Sequence, residues 1–249
     1  MDRMDRKEFM RDVYSAYWIG ARDRIYGFTA YDRHLCASVS AELAGGGKVL
    51  EVAVGTGYPI ADHLQKAGHE VHGVDISPAL VRRCRELNPA IQARVGDAEN
   101  LEYADATFDV TYCFHASWYF PDLPRAIREM LRVTRPGGAV LLDIQNATNP
   151  QVDAAHLRRL HHTRPGLLAR TGLHARNVAK VVLRRGNPNW HALDFEVPTD
   201  PAVVFGALGA HGADDIAVLG RDEADQTLHK LGDGQPLEPI LRLVFAARR

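Results

Sequence analysis

The chain has 249 residues, 46% apolar and 24% charged, and its 30 basic side chains nearly balance 31 acidic ones for a net charge of −1. This composition excludes a disordered chain, a collagen-like repeat and a coiled coil, and it lacks the global basic field of a dedicated nucleic-acid binder. Three scattered cysteines, Cys36, Cys84 and Cys113, form neither a disulfide framework nor a Cys-x-x-Cys metal site. No secretory pattern follows Met1 and no apolar run approaches the ~20 residues of a membrane helix, so a soluble, cytoplasmic protein is expected.

Residues 7–44 carry apolar side chains at helical spacing (Phe9, Val13, Tyr17; Leu35, Val39, Leu43), interrupted at Gly20 and Gly27 and closed by Gly45-Gly46-Gly47. The texture then changes. Residues 49–54 form a nearly continuous apolar run, the mark of a strand buried on both faces of a parallel sheet. A helix from Ile60 to Gly68 and a strand at 71–75 follow. Ser77-Pro78 supplies an N-cap and a first-turn proline for a helix to about Leu87. Strands at 91–95, 108–114 and 139–144 and a helix at 123–133 complete five strand–helix alternations in about 100 residues, which means a doubly wound parallel sheet. Beyond Gln145 the alternation stops. A strand at 192–197, a helix opened by Thr199-Asp200-Pro201, and two closing strands at 215–219 and 239–246 are predicted. The closing pair is expected to be antiparallel and hairpin-like.

Three features fall at successive strand ends. Glu51-Val52-Ala53-Val54-Gly55-Thr56-Gly57 places glycines between a buried strand and a helix, where a ligand can approach the backbone. Asp75 ends the next strand, 20 residues after Gly55, where a carboxylate can accept from both hydroxyls of a ribose. Gly96-Asp97-Ala98-Glu99 ends the third, offering a carboxylate and free N–H groups to an adenine edge. Taken singly, these also read as a tight turn, a solvated acid and a cap. As an ordered set they line the carboxyl edge of one sheet.

The stretches VLEVAVGTG (49–57), VHGVDISPALV (71–81), VGDAENLEYADATFDVTYC (95–113) and AIREMLRVTRPGGAVLLDI (126–144) resemble the class I S-adenosylmethionine-dependent methyltransferases, closely over residues 48–146 and more loosely over the closing strands. The resemblance implies a seven-stranded, mostly parallel sheet with its last strand antiparallel, and S-adenosyl-L-methionine as cofactor with S-adenosyl-L-homocysteine as product. It implies one domain over 1–249: a helical lid (1–44), a cofactor-binding core (45–146), a substrate-side insert (147–212) and the closing strands (213–249). Glu51 would orient the glycine loop. Ala53, Gly55 and Gly57 would let the methionine part of the cofactor lie on the backbone. Asp75 would hold the ribose with Ile76 on the adenine face, Asp97 and Ala98 would meet the adenine amino edge, and Phe114 and His115 would flank the sulfonium. The family's first loop glycine is Ala53 here, which is expected to cost little. A dehydrogenase shares the Asp75 signature, but its third glycine would fall at Ile60 and it has no use for Gly96-Asp97-Ala98-Glu99.

Methyl transfer depends mainly on proximity and alignment, with a base needed only where the acceptor must lose a proton. His115, near neutral in its ordinary titration, is the candidate base. Tyr17, sharing a helix face with Tyr14, is a second catalytic candidate, and Tyr14, Trp118, Tyr119 and Gln145 are candidates for acceptor contact. Residues 150–190 carry eight basic side chains against the single acid Asp153, a patch suited to an anionic substrate. His156, His161 and His162 lack the spacing of a helical metal pair, so no metal is expected, and without interleaved aromatics RNA is a poor fit. The expected activity is methylation of oxygen or nitrogen on a small, specialised-metabolite acceptor. A peptide or protein acceptor docked on the basic insert, and a cofactor-binding protein with a non-methylating or regulatory role, stand as alternatives. No membrane partner is expected, and the sequence leaves the oligomeric state open.

Overall fold

A computed structural model describes residues 7–8, 10–11, 27–43, 45–152 and 197–249. Helix α1 (Ala30–Ala41) opens on a reciprocal cap: Asp32 N donates to Thr29 Oγ1 while Thr29 N donates to Asp32 Oδ2. These two bonds satisfy donors that a helix start otherwise leaves open. Then come β1 (Lys48–Val52), α2 (Ile60–Lys66), β2 (Glu70–Asp75), α3 (Pro78–Leu87), β3 (Gln92–Val95) and β4 (Phe108–Cys113). A 3-10 turn (Ser117–Tyr119) leads to α4 (Leu123–Val133) and β5 (Thr134–Gln145). Helix α5 (Pro201–Ala210), β6 (Asp214–Arg221), β7 (Leu228–Lys230) and β8 (Arg242–Arg248) close the sheet. Ser77 caps α3 through Leu80 N, and Asp200 caps α5 through Ala202 N, so both predicted Ser/Asp-Pro starts are helix starts.

The eight strands run in the order β3-β2-β1-β4-β5-β8-β6-β7. Strands β1 to β5 are parallel to one another, and β8 inserts antiparallel between β5 and β6. The doubly wound architecture and the antiparallel closing pair are as expected, but the sheet has one strand more than seven. The addition is β7, an edge strand paired with β6 through Leu219, Gly220 and Arg221. With three residues, two of them exposed, it carries no alternation for a sequence to show.

One face of the sheet is covered by α4 and α5, through Ile127, Met130, Val204 and Leu208. The other is covered by α1, α2 and α3, through Leu35, Val39, Leu64 and Val81. The order reverses direction between β1 and β4, and a cleft opens outside the carboxyl ends of strands at such a point. No helix among the described residues is long and apolar enough to cross a membrane.

Candidate functional site

The cleft at that reversal encloses about 1110 Å³ including the open solvent at its mouth. Its floor is the β1–α2 loop. Gly55 has φ 57 with open space where a side chain would stand, so the backbone there faces the cleft bare. Gly57, at φ 82, does not line the cleft; a Cβ on it would lie 2.8 Å from Cys84 Sγ, so it seats the loop on α3. Ala53 adopts φ 64, a left-handed conformation that favours glycine; the alanine therefore carries a backbone cost that its side-chain size does not reveal. Between them Thr56 is buried, and its hydroxyl has no hydrogen-bond partner among the described residues. Glu51 lines the cleft directly, with Oε2 accepting from Tyr112 Oη at 3.2 Å.

Asp75 closes the loop from behind. Its Oδ2 accepts from Gly55 N at 2.9 Å and its Oδ1 from Ser77 N at 2.8 Å. Burial pushes its carboxyl up to about 6, against the pull of those two N–H donors. Each oxygen keeps a second lone pair, so Asp75 can still accept from a ligand in the cleft that it lines. Ile76 and Ala98 also line it. Asp97 and Glu99 share one cation: Lys7 Nζ lies 2.6 Å from Asp97 Oδ2 and 2.7 Å from Glu99 Oε2. Burial disfavours the Lys7 charge, yet the two carboxylates outweigh it and raise its pKa. The N-terminal residues Lys7 and Met10 thus form part of the cleft wall, a contribution that needed the partner acids, some 90 residues on, to be seen.

At the far wall His115 sits at φ 59, its N–H donated to Asp143 Oδ1 at 2.8 Å. Its Nε2 lies 2.9 Å from Asp32 Oδ1 and its Nδ1 3.8 Å from Asp143 Oδ2. Asp143, fully buried, also takes Tyr31 Oη and Arg242 Nη1, each at 3.2 Å. Burial first, then the Asp143 charge, holds the Tyr31 phenol well above its ordinary pKa, so Tyr31 stays a donor. Asp32, Asp143 and Arg242 were not among the residues the sequence singled out. The Thr29-x-x-Asp32 spacing signals a cap, but nothing local signals the contact with His115.

The structure therefore brings Glu51, Ala53, Gly55, Asp75, Ile76, Asp97, Ala98, Phe114, His115 and Tyr119 around one cleft. It places Trp118 elsewhere: its ring is buried and stacked under the Arg242 guanidinium at 4.3 Å. Gln145, at the end of β5, is not among the lining residues. Tyr14, Tyr17, most of the basic 150–190 segment and the 192–196 part of the predicted strand lie outside the described residues. Among the described residues one trio of ligand-type side chains converges, Asp222, Asp225 and His229, exposed and apart from the cleft.

A family model described as a methyltransferase domain matches residues 50–142. The chain is 37% identical over 93 residues to a malonyl-[acyl-carrier protein] O-methyltransferase of Pectobacterium atrosepticum, covering 37% of this chain and 36% of that one. It is 33% identical over 111 residues to a demethylmenaquinone methyltransferase of Chlorobaculum parvum, covering 44% and 46%. The matched parts thus span about a third to a half of these curated relatives. Among solved structures, magnesium protoporphyrin IX methyltransferase of Synechocystis PCC 6803, determined with bound SAH, superposes with a TM-score of 0.60 at 14% identity, over 99% of this chain and 94% of that one.

Proposed function

Given the methyltransferase domain at residues 50–142, we propose that the chain is an S-adenosylmethionine-dependent methyltransferase acting on an oxygen or nitrogen of a small organic acceptor. The observation that carries the reading is the meeting of the bare Gly55 backbone, the unpartnered Thr56 hydroxyl and the buried Asp75 carboxylate in one cleft with His115. A nucleoside-bearing amino acid needs these groups: close backbone approach, a spare hydroxyl and a carboxylate for ribose hydroxyls. When bound, S-adenosylmethionine supplies a methyl group on a positively charged sulfur, which keeps the C–S electron pair and leaves as the neutral thioether of S-adenosylhomocysteine.

The chain's own part is to bind and align. Asp75 holds the ribose, Ile76 and Ala98 flank the adenine, and Glu51, Gly55 and Thr56 hold the amino-acid end. Alignment alone can contribute up to about 7–11 kcal/mol. His115 takes the acceptor's proton where there is one to lose. The relatives' names carry chemically different acceptors, so what comes over is the class and not a compound. In this reading residues 1–249 act as one unit built on the 45–146 core. The test is transfer of labelled methyl from S-adenosylmethionine across a panel of phenols, alcohols and amines, beside calorimetry with S-adenosylhomocysteine. Labelled product supports the reading; tight binding with no turnover on the whole panel favours a binding protein instead.

A further inference from the structure

We infer that Asp32 is a positioning residue for His115: it fixes the imidazole as the Nε2–H tautomer, so that Nδ1 is the nitrogen that receives the acceptor's proton. The inference rests on the methyl-transfer reading above and specifies how its far wall works. The two oxygens of Asp32 are divided between tasks. Oδ2 accepts from Thr29 N at 2.8 Å and Thr29 Oγ1 at 2.7 Å, capping α1, while Oδ1 faces His115 Nε2 at 2.9 Å. An ionised carboxylate only accepts, so the hydrogen in the last contact belongs to Nε2. Burial opposes the Asp32 charge, but the imidazole and the Thr29 donors outweigh it and lower its pKa.

Nδ1 then carries the lone pair. It lies 3.8 Å from Asp143 Oδ2, beyond hydrogen-bond distance, so it is not consumed by that acid. Once protonated, the ring would stand between two carboxylates that offset its charge. The charged and titratable groups facing it come from three elements: Asp32 and Tyr31 on α1, Asp143 on β5, and Arg242 on β8, which reaches it through Asp143. The left-handed backbone of His115 is held by its N–H bond to Asp143, and the Tyr31 ring meets the imidazole edge-on at 5.6 Å. Ring position and tautomer are therefore both fixed. The step this serves breaks an acceptor O–H or N–H bond: the proton goes to Nδ1 and the electron pair stays on the oxygen or nitrogen for the new bond to carbon. The acceptor is thus a hydroxyl or N–H compound. A carboxylate has no proton to lose and would leave His115 without a role.

The test reads the tautomer directly, by nitrogen NMR of the His115 ring at a pH where it is neutral, with the signal assigned by its loss in His115→Ala. The expected wild-type result is a protonated Nε2 and a bare Nδ1. In Asp32→Asn, the two Thr29 donors keep the amide oxygen at the cap, so the NH2 turns toward Nε2 and the tautomer reverses. Thr29→Ala removes the cap partner and leaves Oδ1 in place; it should lower the melting temperature with the tautomer unchanged. A wild-type ring protonated on Nδ1, or an Asp32→Asn ring unchanged from wild type, overturns the proposal. Should Asp32→Asn fail to fold, the wild-type and Thr29→Ala spectra decide it. Calorimetry with S-adenosylhomocysteine on the same samples separates the readings: no binding sinks the methyl-transfer reading, whereas binding with the wrong tautomer sinks only this one.

Discussion

Gly55 N donates to Asp75 Oδ2 at 2.9 Å, joining two residues 20 apart in the chain. The bond makes the glycine loop and the buried acid at the end of β2 one rigid piece, because the same carboxylate also holds Ser77 N at the start of α3. A shift of either loop moves the other.

The pH behaviour of this piece follows from its burial. Asp75 titrates near 6 when folded against an ordinary value of 3.8. Between those values Asp75 binds more protons in the folded chain than in the unfolded one, so the stability that this residue contributes is full below about 4 and is lost as pH rises through 6. The loss is on the order of 3 kcal/mol. Affinity for S-adenosylhomocysteine should move the other way, rising as pH passes 6 and the carboxylate ionises. Urea melts and calorimetry between pH 4 and 8 check both slopes, and Asp75→Ala should flatten both.

Thr56→Val separates a ligand-serving hydroxyl from a structural one. Removing a buried hydroxyl that has no partner costs the empty protein nothing and can stabilise it. The same change should weaken S-adenosylhomocysteine binding about tenfold, from ~1 kcal/mol of lost hydrogen bonding. Equal affinity in calorimetry would remove Thr56 from the site.

Ala53→Gly should stabilise the protein. Relief of the left-handed φ is worth ~1–2 kcal/mol, and the added freedom of the unfolded chain takes back ~0.4–1 kcal/mol. A net gain of roughly 0–1.6 kcal/mol in unfolding free energy, read as a raised urea midpoint, is expected.

Lys7→Met keeps the length of the side chain and removes its charge. The pairs with Asp97 and Glu99 are partly exposed, so the effect on global stability should stay below about 1 kcal/mol. The clearer effect should be kinetic. With the wall at Asp97 untied, S-adenosylhomocysteine should leave faster in stopped-flow displacement, and wild type should approach the variant as salt rises.

The parts of the site legible in the sequence are those built within one strand-to-helix turn. The loop at Gly55, Asp75 and the Gly96 block each announce themselves by a few adjacent residues, and their order along the chain becomes their order along the sheet edge. His115 was legible as a candidate for the same reason. Asp32 was not, because it meets His115 across 83 residues and its sequence spacing points only to a helix cap. Trp118 illustrates the opposite error: an aromatic beside a site reads as pocket wall, yet here it packs beneath Arg242. Register and packing decide such cases, and neither is written in local spacing. The missing strand β7 is of the same kind, being recognised only by its pairing to β6.

Strand β8 sits inside the sheet, hydrogen-bonded to β5 on one side and β6 on the other. Residues made late in synthesis therefore fill a gap between elements made earlier. Until Arg242–Arg248 has left the ribosome, both flanking strands present unpaired edges, and such edges are templates for pairing with the wrong chain. A nascent chain stalled before residue 242 would be expected to depend on chaperones in a way that the finished protein does not.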